Sequence, residues 1–179
     1  PATPVFQDGR ATPVPISVDV TNLRTYRTPV GAVWVVGEVL NRGEQSAENI
    51  RVEIALLDTA GQPAGIAQAW VAPGVVPAGA RAPFSVLVEL PAETGDINSV
   101  ASVIGGSTVI DLGSRYLDLV AGNVVVDSAE NRATISGTVT NTGAETVAAL
   151  TIVATLYDAQ GNVSGTAQLF QTEPLPPGA

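Results

Sequence analysis

The chain repeats itself at an interval of 100 residues. Gly37-Glu-Val39-Leu-Asn41-Arg-Gly43 aligns with Gly137-Thr-Val139-Thr-Asn141-Thr-Gly143, and Leu56-Leu-Asp58-Thr-Ala-Gly61 with Leu156-Tyr-Asp158-Ala-Gln-Gly161. Gly65-Ile-Ala67-Gln68 falls on Gly165-Thr-Ala167-Gln168 in the same register, so from 37 to 68 there is no gap and 10 of 32 residues are identical. A duplication of this period divides the 179 residues into two domains of roughly 70–100 residues each. Such duplication usually belongs to surface, scaffold or interaction proteins. Pro77-Ala-Gly79-Ala80 matches Pro176-Pro-Gly178-Ala179 at a shift of 99. Beyond that point the first copy continues through Phe84-Ser-Val-Leu-Val88 and Ser99-Val-Ala-Ser-Val-Ile104, for which the second copy has no counterpart.

Within each copy the hydrophobic period is two. Ile16, Val18 and Val20 alternate with Ser17, Asp19 and Thr21, as a half-buried strand requires. The counterpart fits best at a shift of 101, with Leu117, Leu119 and Ala121 in phase and Asn22 on Asn123. Ile135, Gly137 and Val139 are expected to face inward, as are Leu150, Ile152, Ala154 and Leu156, which match Ile50, Val52, Ile54 and Leu56. Asn141-Thr-Gly143 supplies residues that tolerate positive φ. Asp58-x-x-Gly61 and Asp158-x-x-Gly161 place Asp first and Gly last in a tight turn. Short strands between Asn, Gly, Pro and Asp turns indicate antiparallel sandwiches, and no segment carries a helical period. The expected organisation is a Pro-rich extended segment over 1–15, a sandwich over 16–112, and a second over 113–179 that lacks its closing strands.

The stretch Val153-Ala-Thr-Leu156-Tyr157-Asp158-Ala-Gln-Gly161, set between Asn-x-Gly and Pro-x-Gly elements, resembles the FxLYD-type domains of bacterial secreted and envelope proteins. The likeness covers about 33–90 and 133–179. The Leu-Tyr-Asp element is complete in the second copy, whereas the first has Leu56-Leu57-Asp58. Phe84 fits the phenylalanine that follows Pro-x-Gly in the family. The resemblance implies an all-β chain of two tandem immunoglobulin-like antiparallel β-sandwich domains, without catalytic activity.

Composition narrows the chemistry. There is no Cys and no His, which removes disulfides, thiol nucleophiles and the side chain best poised for proton transfer near neutrality. All 8 basic residues are Arg, so no lysine can serve as an alternative base. A net charge of −9 argues against nucleic acid and anionic lipid, both of which call for a basic patch. No apolar run reaches the roughly 18 residues of a membrane span. The chain has no Met, position 1 included. The expectation is a processed chain or an excerpt of a longer one, and removal of a signal peptide would explain this, with the protein placed outside the cell or in the envelope. No cofactor and no metal ligand set is expected.

Several residues invite a functional role. Asp58 and Asp158 are accounted for by hairpin geometry. Asp127-Ser-Ala-Glu130-Asn131 offers oxygens to a cation but lacks the acidic spacing of a calcium loop. Asn162-Val-Ser164 is a glycosylation sequon at a hairpin tip. The outward face of the second strand carries Trp34, Val36, Glu38 and Leu40 in the first copy but Thr134, Ser136, Thr138 and Thr140 in the second. Such an apolar face calls for a cover: the other copy, a neighbouring molecule or the N-terminal segment. Trp70 and its match Phe170 are either core or interface, or a sugar-stacking platform. Three functional readings remain: a self-associating structural subunit of the cell exterior, a glycan- or protein-binding module, and an accessory domain of an envelope complex. For the first, the missing strands lie in a longer gene product or come from a neighbour, with Thr3-Pro-Val5-Phe6 as the donor segment.

Overall fold

The computed structural model describes residues 15–91, 94–111, 115, 117–129 and 132–179. Val5 and Phe6 lie outside them, as do Glu130 and Asn131. Among the described residues there are eleven β-strands and no helix. They are β1 (Val18–Arg27), β2 (Val33–Asn41), β3 (Ala47–Leu57), β4 (Pro63–Trp70), β5 (Val75–Val76), β6 (Arg81–Val88), β7 (Asn98–Thr108), β8 (Leu119–Ala129), β9 (Arg132–Asn141), β10 (Leu150–Tyr157) and β11 (Val163–Gln171).

Contacts divide the chain into two compact units. The first holds the described residues up to Asp111 together with Val153–Ala167, and the second holds the described residues of Leu112–Ile152 with Gln168–Ala179. The division therefore differs from a single cut near residue 112. The tip of the β10–β11 hairpin comes from the second repeat but belongs to the first unit.

In the first unit β2 lies between β1 and β6, and β3 lies between β4 and β7 with β5 beside its start, all antiparallel. Alternation sends Val33, Val35 and Val39 of β2 toward Ile50, Val52, Ile54 and Leu56 of β3, and these side chains form one buried cluster with Phe84 and Ala82 of β6. Two sheets thus sandwich a core of β-branched and aromatic residues. Burying each large side chain contributes about 1.5–3 kcal/mol. Gly37 is required inside β2, because a Cβ there would lie 2.5 Å from Cζ of Phe84.

The repeat reappears as matched local geometry. Asn41 and Asn141 are both buried. The Asn41 amide donates to the carbonyls of Gln45 (2.9 Å) and Val76 (2.9 Å), and the Asn141 amide to those of Glu145 (2.7 Å) and Leu175 (3.0 Å). Their main chains bond to Gly79 and Ala80 in one case and to Gly178 and Ala179 in the other, so the shift of 99 at this point is structural. Asn22 (φ 53°) and Asn123 (φ 50°) each adopt the left-handed conformation, within the register shifts of β1 and β8. Asp58 Oδ1 accepts from the amides of Ala60 (2.9 Å) and Gln62 (2.8 Å); Asp158 Oδ1 accepts from those of Gln160 (2.9 Å) and Asn162 (2.8 Å).

The strands of the second repeat are less enclosed among the described residues. Among the described residues β9 pairs with β8 and β10 with β11, each in a two-stranded sheet. Val147 and Leu150 are buried, while Val124, Val125, Val126, Leu169 and Phe170 are exposed.

Candidate functional site

The described residues contain no group of three or more His, Cys, Asp or Glu able to hold a metal ion. Asp127 lies on β8. In a shallow cleft of about 320 Å³ beside Ile16, Asn41, Gln45 and Thr108, the Asn41 amide is already committed to its turn. The surfaces that carry information are the outer faces of the two sheets of the first unit.

On the β1–β2–β6 sheet the outward phase of β2 is Trp34, Val36, Glu38 and Leu40. Val36 (0% exposed) and Glu38 (1%) are buried, Leu40 is half-buried and Trp34 remains 36% exposed. The aligned Thr134, Ser136, Thr138 and Thr140 are all exposed. Cover over the first face comes from residues 153–167. Arg24 and Ser85 flank Val36 in the strand registers. Arg24 donates to the Asn162 side-chain oxygen and Ser85 Oγ lies 3.1 Å from Thr166 Oγ1. The Tyr26 hydroxyl donates to the Val163 carbonyl at 2.8 Å, and Val163 is wholly buried.

Glu38 is the polar centre of this face. Its carboxylate accepts from the Asn22 amide at 2.8 Å and from the Tyr157 hydroxyl, with Arg81 Nη1 at 3.5 Å. A charge removed from water survives only when it is paired and hydrogen-bonded, and three groups meet that condition here. Burial first, and then the hydrogen bond to Glu38 and its charge, hold the Tyr157 hydroxyl above its ordinary pKa. Tyr157 replaces Leu57, and Thr138 replaces Glu38; Asn123, the counterpart of Asn22, reaches Thr138 Oγ1 at 3.5 Å. Sequence alone marked the apolar stripe but missed Glu38 and Tyr157. The signal was a paired departure from the repeat at positions 38 and 157.

Asn162 is half-buried, and its amide nitrogen donates to both Asp158 oxygens (3.2 and 3.0 Å). Glycan attachment at this nitrogen would have to break that pairing. The same bonds, side chain first and then backbone, hold the Asp158 carboxyl below its ordinary range.

Trp70 and Phe170 are not core residues, being 64% and 68% exposed. Trp70 pairs with Arg51, which stands out of phase with the inward Ile50 and Val52, on the edge strand of its sheet. The Arg51 guanidinium carbon sits 5.6 Å from the indole centroid. Comparison of the chain with protein-family models, with curated proteins and with solved structures found no match.

Proposed function

We propose that this chain is a non-enzymatic structural and assembly module of the cell exterior, built as a tandem of immunoglobulin-like domains and extended by strand addition from a neighbouring copy. One observation carries the reading. Among the described residues the matched strands β2 and β3 are paired on both sides, whereas β9 and β10 have one hydrogen-bonded neighbour each. The row of main-chain N–H and C=O groups beside such a strand is a template for another chain. Exposed Val124, Val125 and Val126 lie on β8, next to the open strand. Absence of His, Cys and Lys supports a role without catalysis. Placement outside the cell rests on the resemblance to FxLYD-type domains. The donor indicated by the sequence is the segment around Val5 and Phe6, which precedes the first strand and is not part of the repeat.

Sedimentation of the full chain tests this. Concentration-dependent oligomers are expected. Deletion of residues 1–12 should leave monomers in which the first unit melts as before. Monomers of the intact chain at high concentration, or oligomers unchanged by the deletion, would overturn the proposal.

A further inference from the structure

The outer face of the β4–β3–β7 sheet is organised in rows. Trp70 stands opposite Arg51. One row along, Gln68 stands opposite Glu53, and Glu53 opposite Ser102 of β7. Gln68 Nε2 donates to Glu53 Oε2 at 3.1 Å, which leaves the other oxygens of this pair pointing their lone pairs elsewhere. Among the described residues the Arg51 side chain has no hydrogen-bond or ion-pair partner, and its Nε is a buried donor without an acceptor. It is held over the indole, so its outer N–H groups stay available while its position is fixed.

The geometry points to a neutral, extended oligosaccharide as the ligand of this face. The π surface of an exposed Trp is electron-rich and accepts the weakly positive C–H face of a pyranose ring. The adjacent carboxylate, amide, hydroxyl and guanidinium supply the donors and acceptors that vicinal sugar hydroxyls need, and few such groups are enough to fix orientation. The charges of Arg51 and Glu53 cancel, which suits an uncharged ligand. Glu53 and Ser102 are residue types that protein interfaces avoid, although Trp70 and Arg51 are types they favour, so it is the carboxylate and hydroxyl of this face that turn it away from a protein partner. A second observation is independent of the first. The other repeat keeps Gln168-Leu-Phe170 at the matched positions, with Gln168 and Phe170 both exposed. It has Thr151 and Val153 in place of Arg51 and Glu53. The stacking group is thus retained in both copies, and the full set of polar partners in the first alone. This site is separate from the open strands of the second unit, so its test does not depend on self-association.

The test is native affinity electrophoresis of the full chain through gels containing neutral polysaccharides, namely β-1,4- and β-1,3-glucan, xylan, mannan and α-glucan, with polygalacturonate as the anionic control. Retardation on at least one neutral polymer and none on the control is expected. Trp70→Ala should weaken it tenfold or more, Gln68→Ala several-fold, and Phe170→Ala less than either. Both Trp70 and Gln68 are exposed, so thermal melts of these variants should match that of the unaltered chain. Absence of retardation on every neutral polymer would overturn the proposal, as would retardation indifferent to both Trp70→Ala and Gln68→Ala. Equal retardation on polygalacturonate, or loss of oligomers in Trp70→Ala, would overturn it too, pointing to a polyanion or to a second copy on this face.

Discussion

The two repeats share their turns and differ in what surrounds their strands. Buried Asn41 and Asn141 tie the same loops by the same bonds, and Asp58 and Asp158 brace the same hairpins. Yet β2 is flanked on both edges and covered on both faces, while β9 has one neighbour among the described residues and an exposed row of Thr134, Ser136, Thr138 and Thr140. The difference teaches that the residues identical between copies specify the frame. Those that diverge decide what is laid against it. Glu38 with Tyr157, against Thr138 with Leu57, is the clearest instance.

The contrast can be broken hardest at the core. Phe84→Ala should destabilise the first unit by about 3–5 kcal/mol through the cavity it leaves among Val35, Ile54 and Gly37. The second repeat has no matching residue, so probes confined to the second unit should respond far less. Denaturant melts followed by the fluorescence of Trp34 and Trp70, against amide exchange of β8 and β9, would read the two separately.

An intermediate effect sharpens the similarity. Asn41→Ala removes an amide whose two N–H groups are shared among the carbonyls of Gln45, Val76 and Pro77, and should cost about 2–3 kcal/mol in the first unit. Asn141→Ala should cost the second unit a comparable amount. If amide exchange near Leu175 is unmoved by Asn141→Ala, the two asparagines do not perform the same task.

The smallest effect isolates the divergent pair. Tyr157→Phe deletes the hydroxyl bonded to Glu38 and should lower stability by about 1 kcal/mol, a modest figure because the ring is half-exposed. The folded-state pKa of Tyr157 is raised, so the folded chain keeps its proton where the unfolded chain has lost it. The stabilisation is therefore full below about pH 10 and is lost as pH climbs through the higher folded value. Urea melts of both proteins between pH 8 and 11.5 should converge at the alkaline end.

Much of the frame was legible in the residues. The period of two, the Asn-x-Gly turns and the Asp-x-x-Gly hairpins are local signals, and each falls where its chemistry demands. The alignment of Asn22 with Asn123, made on sequence, proved to mark two left-handed residues within strand irregularities. Grouping of residues 153–167 with the first unit was not legible, because it depends on a contact between Glu38 and Tyr157 spanning 119 residues that no periodicity encodes. That Trp70 lies outside the core was not legible for another reason. The alternation around it, Ala67-Gln-Ala69-Trp70-Val71, has small apolar residues in the opposite phase and does not reveal which phase points inward.

Chain synthesis gives Glu38 a second role. Residues 18–108 contain the described strands of the first sandwich, and N-to-C synthesis makes them available to fold before residues 153–167 emerge. During that interval Trp34, Val36 and Leu40 face water on a formed sheet, which is the condition under which nascent chains stick to one another. A carboxylate in the middle of that stripe keeps it hydrated until Tyr157 arrives, as charges flanking sticky strands do elsewhere. The group that anchors the finished contact is also the one that makes the wait for it safe.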